Sequence, residues 1–119
     1  MNEYTKEVLG NTELSYTDDG KIEVLVSPGW GAGWSTWNDD GLKLAVDKRI
    51  IDFFKRAGQD ADENLVKAFL REIGYEHVYC GGWDDIVIET VEPGIPFKIT
   101  EYDGSEELER VTPQNYCEF

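Results

Sequence analysis

Trp30, Trp34 and Trp37 fall between Gly29 and Asn38, interleaved with Gly29, Gly31 and Gly33. Three of the chain's four tryptophans thus share ten residues with three of its twelve glycines. Large rings spaced by residues without side chains give a backbone that bends tightly while presenting broad apolar faces. The chemistry this offers is recognition: a ring-lined pocket, or a surface on which a flat ligand stacks for ~1–3 kcal/mol per ring. The four- and three-residue spacing of the tryptophans also matches one face of a helix. Each internal glycine costs a helix about 1 kcal/mol, so a loop is expected, with core packing for at least one ring.

Other residues extend this candidate binding set. Asp84 and Asp85 follow Trp83, and two carboxylates beside an indole can accept hydrogen bonds from a guanidinium or amine. Asn38 closes the tryptophan loop, and Tyr102 and Asp103 stand at a turn in an acidic stretch. Lys48 and Arg49 are conspicuous in a chain poor in cations. Arg49 can anchor a carboxylate such as Asp84, or point an anion-binding fork into the tryptophan pocket.

Catalytic and metal templates fail. His77 is the only histidine, and Cys80 lies three residues away, an odd spacing that places the two on opposite faces of a strand. The glycine run from Gly29 to Gly33 has neither the lysine of a P-loop nor the dinucleotide fingerprint. Asp18-Asp19, Asp39-Asp40 and Asp84-Asp85 match no calcium loop, and the first two pairs precede glycines, where turn and cap roles suffice. An acid–base role for Asp84, Asp85 or the Glu101–Asp103 pair needs carboxylates meeting across a cleft, which spacing does not establish. Neither a cofactor nor a metal is implied.

The totals agree with a binding protein. The 119 residues suit one domain covering residues 1–119. The formal net charge is −14, from 25 acidic and 11 basic residues. That balance repels nucleic-acid phosphates and anionic membrane surfaces and favours basic protein partners. Cys80 and Cys117 have no metal or redox spacing, no secretory signal opens the chain, and no apolar run approaches membrane length; a cytoplasmic setting is expected.

The elements that must carry these residues follow from periodicity. Leu14 and Tyr16, the Asp18-Asp19-Gly20 turn and the alternation of Lys21–Ser27 predict an N-terminal β-hairpin whose end aims the tryptophan loop. The stripe Leu42, Ala45, Val46, Ile50, Phe53 and Phe54 predicts a helix over 42–55. A second amphipathic helix, capped by Asp62, runs through Ile73 to Gly74. From Tyr75 the period becomes two, predicting strands near 75–80, 86–91 and 97 onward, with a hairpin at Asp103-Gly104. The expected architecture is α+β: hairpin, two helices and a C-terminal antiparallel meander, in a single sheet with helices on one face.

The runs GWGAGWSTWN, LAVDKRIIDFF and GGWDDIVIETVEPGIPFKITEYDGSE resemble a family of small proteins encoded by bacteriophages and prophages. The likeness spans roughly Lys21 to Glu109 and is sharpest over Gly31–Asn38, Gly81–Asp85 and Glu101–Glu106. It implies an origin rather than a mechanism. Small phage proteins without catalytic signatures often act by binding a host component; blocking a defence system and sequestering its nucleotide signal are examples. The sequence therefore leads to two expectations: an acidic protein engaging a basic, nucleic-acid-handling host protein, or a small nucleotide-like ligand held by the tryptophans with Lys48 or Arg49 at its phosphate.

Overall fold

The computed structural model describes residues 3–110. It is a mixed α+β fold, the class expected from the sequence. In order come α1 (Glu3–Leu9), β1 (Ile22–Val26), α2 (Leu42–Val46), α3 (Lys48–Ala57), α4 (Glu63–Glu72), β2 (Val87–Val91), β3 (Phe97–Tyr102) and β4 (Ser105–Arg110). Short 3₁₀ turns occupy Ser35–Trp37 and Trp83–Asp85.

Every residue of β1 is buried, and the strand divides the core. Leu25 faces a cluster built from α3, α4, Trp34, Trp83 and Ile86. Ile22, Val24 and Val26 face Leu9, Ala45, Val46 and Phe97. Alternation thus buries both faces of one strand, and β1 becomes the frame on which the rest is hung. Its antiparallel partner is β2, with Ile22 opposite Val91 and Val26 opposite Val87.

The remaining strands, β3 and β4, pair from Phe97–Arg110 to Tyr102–Ser105. The meander is therefore realised as a β3–β4 hairpin, while β2 crosses to β1. The two ladders meet at Ser27, whose carbonyl accepts the Glu106 N–H at 2.8 Å. Asp103 and Gly104 have φ values of 49° and 88°, as a tight Asp-Gly hairpin turn requires.

The N-terminal hairpin is reduced to a Tyr16–Ile22 bridge closed by a Thr17–Lys21 backbone bond. The expected helix over 42–55 is two helices, because Asp47 leaves helical geometry (φ −62°, ψ 117°). Its side chain caps α3 at the Arg49 N–H, 2.9 Å away. The apolar stripe continues across this break, which is why periodicity conceals it. Residues 75–80 form no strand: His77 sits at φ 60°, which interrupts any ladder. Helix α1 was not expected from its sparse apolar pattern; it buries Thr5 and Leu9. α4 starts at the predicted Asp62 cap, which accepts from Asn64 N–H, and Gly74 closes it at φ 104°. Among the described residues no helix is long and apolar enough to cross a membrane. Cys80 is buried, and Cys117 lies outside the described residues, as does any pairing between them.

Candidate functional site

The tryptophan loop is organised from beneath by a carboxylate far along the chain. Glu106 is 2% exposed. Its Oε1 accepts the Ser27 N–H at 3.0 Å, and its Oε2 accepts the Trp34 and Thr36 N–H groups at 3.0 and 2.9 Å and the Thr36 hydroxyl. A loop rich in glycine has few side chains with which to satisfy its own donors, and Glu106 supplies the acceptor they lack.

The tryptophans fall into two classes. Trp34 is fully buried, donates from Nε1 to the Leu44 carbonyl at 2.8 Å, and meets Trp83 edge-to-face at 5.7 Å. Trp83, 3% exposed, donates to the Gly58 carbonyl and packs on Phe53 and Phe54. Both belong to the core, where packing was expected for at least one ring, and Trp83 reaches the surface only at the edge of a small concavity. Burying an indole with its N–H paired is the favourable state for both.

Trp30 and Trp37 remain outside, 68% and 40% exposed. Trp30 stands perpendicular to Tyr102 at 5.6 Å, and Tyr102 is 74% exposed. The loop is seated on the hairpin tip by Gly31 N–H to Asp103 O at 2.6 Å and Ser105 hydroxyl to Pro28 O at 2.8 Å. Trp37 lies against Tyr79 at 5.5 Å and donates from Nε1 to Glu101 at 3.2 Å. Glu101 and Tyr102 are successive strand residues and project to opposite faces. The two aromatic pairs therefore clasp the β3–β4 tip from either side.

Asn38 works within this clasp. Its amide donates to Trp34 O and Tyr79 O and accepts the Tyr79 N–H at 2.7 Å, tying the loop to residue 79. Asp85 packs its carboxylate against the Cα of Gly29, where any side chain would collide with it. Asp84 is exposed and lines a small concavity with Gln59, Cys80 and Trp83. The Gly104 N–H, then Trp37, hold the Glu101 carboxyl below its ordinary range, so it is charged at neutral pH.

Lys48 and Arg49 are not part of this surface. Lys48 pairs with Asp52 at 2.7 Å. Arg49 spends its donors on Asp47, at 2.7 Å, and on the Ile73 carbonyl. The carboxylate that Arg49 anchors is Asp47 and not Asp84.

Charge is segregated along the chain. Among the described residues there are six ion pairs, and all join residues between Glu3 and Lys67. Asp84, Asp85, Glu101, Asp103, Glu107 and Glu109 enter none of them. Among the described residues, none of the carboxylates around the exposed rings forms an ion pair.

Larger concavities lie elsewhere. One of about 400 Å³ is walled by α4 and residues 75–78, and one of about 690 Å³ by residues 9–13, Lys43 and Ile73–Tyr75. Neither is lined by Trp30 or Trp37. His77 is exposed, whereas Cys80 is buried with its thiol pushed up to about 11 by that burial. Among the described residues no group of three or more His, Cys, Asp or Glu side chains is placed to hold a metal ion.

Sequence reasoning missed Glu106 and Tyr79. The only hint of Glu106 was an acid two residues beyond a predicted hairpin turn, on an alternation that also holds Leu108. No protein-family model, curated protein or solved structure matches the chain.

Proposed function

We propose that the protein is a non-enzymatic binding protein of phage type. It engages a basic, nucleic-acid-handling host protein in the host cytoplasm and inhibits or diverts it, as a counter-defence protein does. The observation that carries this reading is the pairing of exposed, braced aromatic rings with carboxylates that form no ion pair among the described residues, at one hairpin tip. Trp30 and Tyr102 are held edge-to-face, so little side-chain freedom is lost when a partner covers them. A guanidinium or ammonium above such rings gains cation–π attraction, and Glu101 and Asp103 add charge-assisted bonds. The net charge of −14 steers basic partners inward and keeps nucleic acid away. The resemblance to small phage proteins supports a host factor as the target.

The test is affinity capture from host lysate on immobilised protein, eluted with rising salt, beside Trp30→Ala and Tyr102→Ala proteins. A nucleic-acid-handling protein that elutes at modest salt and escapes both variants supports the reading. Capture that ignores salt or the two substitutions overturns it.

A further inference from the structure

We propose that the concavity between α4 and residues 75–78 is a binding site for a small phosphorylated ligand, separate from the aromatic surface. Lys67 and Arg71 lie four residues apart on α4 and so share one face, and both line this cavity of about 400 Å³. His77 reaches it from the opposite wall, and Leu70, Tyr75 and Val78 give it an apolar floor. Its size is within the range of small-molecule sites.

Three features single it out. Arg71 forms no ion pair among the described residues, although acids outnumber bases more than twofold. Lys67 has only a loose contact with Glu63, at 3.8 Å, so its ammonium is available. His77 has φ 60°, a left-handed conformation uncommon for a residue with a side chain, and it lines the cavity.

At the end of α4 several carbonyls are capped rather than bare. The carbonyls ending α4, which would repel a phosphate, are engaged: Phe69 O by Ile73 N–H, Arg71 O by Gly74 N–H, and Leu70 O by Tyr75 N–H at 2.8 Å. Arg71 offers a planar fork for phosphate oxygens and Lys67 a point charge. Glu76, also on the wall, accepts from a hydroxyl or amine on the rest of the ligand. Two cations against Glu76 on the wall and Glu63 beside Lys67, in a chain of net charge −14, suit a ligand with one or two phosphates and disfavour a polyanion.

The chain contains one histidine, so the His77 ring protons give a single assignable set of NMR signals. Inorganic phosphate, adenosine monophosphate and adenosine are titrated separately at fixed pH and ionic strength. Saturable movement of the His77 signals with phosphate or the nucleotide, but not with adenosine, is expected. Arg71→Ala and Lys67→Gln each weaken it roughly tenfold, as loss of a charge-assisted bond should, with tryptophan fluorescence confirming a retained fold. Equal response to phosphate and nucleotide identifies free phosphate as sufficient; tighter nucleotide binding identifies a nucleoside phosphate. Unmoved signals with both, movement in the variants as strong as in the wild type, or an adenosine response matching the nucleotide would overturn the site.

Discussion

The Glu106 carboxylate accepts the backbone N–H of Trp34 at 3.0 Å while the Trp34 ring lies fully buried on the other side of that backbone. This contact, between residues 72 positions apart, pins the loop backbone between buried Trp34 and exposed Trp37. Because the same carboxylate holds Thr36 and Ser27, the loop has one seated conformation, and Trp30 and Trp37 project from fixed points.

Removing that acceptor is expected to cost more than any surface charge. Glu106→Ala strands the Ser27 and Trp34 N–H groups in a buried site, where each unpaired group costs about 1–3 kcal/mol, and releases the more exposed Thr36 N–H. Allowing for entry of water, a loss of about 3–5 kcal/mol should appear in urea unfolding. A loss below about 1 kcal/mol would show that the nest does not hold the loop.

The four tryptophans should separate into two pairs by experiment. Trp34→Ala empties a core position and should cost about 3–5 kcal/mol. Trp30→Ala should change stability by less than about 1 kcal/mol, yet reduce partner capture at least roughly tenfold, as an exposed aromatic anchor does. Comparable destabilisation by the two substitutions would contradict the sorting.

Local pattern carried the sequence reading wherever one element's own residues decided its fate. The α3 and α4 stripes, the Asp62 cap, Gly74 and the Asp103-Gly104 turn were legible for that reason. The pairing of β1 with β2 joins Ile22 to Val91, a partnership set by burial of both strand faces and by no nearby signal. Asp47 was hidden because a cap inside a continuous apolar stripe leaves the spacing intact. At the candidate surface, residue type singled out the loop, and two of its three rings, Trp30 and Trp37, are exposed. The fate of each ring was not legible, since the acid that pins the loop backbone lies far along the chain.

Asp47 gives the fold a pH dependence with a definite sign. Burial pushes its carboxyl up, but hydrogen bonds from Arg49, then Tyr75 at 2.8 Å, outweigh this and hold it below the ordinary range. A depressed carboxyl stabilises above its unfolded value of about 3.9, and the contribution fades as pH falls through the folded value. Tyr75 moves the other way: burial, then the bond to Asp47, raises its phenol well above the usual range. Its contribution is complete below about pH 10 and is lost as pH climbs towards the folded value. Asp47→Asn keeps a capping oxygen but removes the charge that Arg49 and Tyr75 bond, and should cost about 1–3 kcal/mol at neutral pH. The gap between wild type and variant should narrow as pH drops below about 4. A gap that stays constant into acid would exclude Asp47 as the source.

Two glycines with nearly the same backbone provide a controlled test of how the loop is seated. Gly20 and Gly104 have φ of 85° and 88°. A Cβ on Gly20 would meet nothing within 4 Å, whereas one on Gly104 would drive into the Ala32 N and stand 2.9 Å from the Gly31 carbonyl carbon. Alanine at either position carries the left-handed conformational cost of about 1–2 kcal/mol. At Gly104 it must also lift the tryptophan loop from the hairpin tip, breaking the Gly31–Asp103 bond, for a total of about 2–4 kcal/mol. Unfolding curves of Gly20→Ala and Gly104→Ala should therefore differ by at least about 1 kcal/mol. Trp30 fluorescence should change only in the second, because its perpendicular contact with Tyr102 depends on that seat. Equal curves and unchanged emission would mean that the loop and the hairpin tip are independent, and that the exposed rings are not braced for a partner.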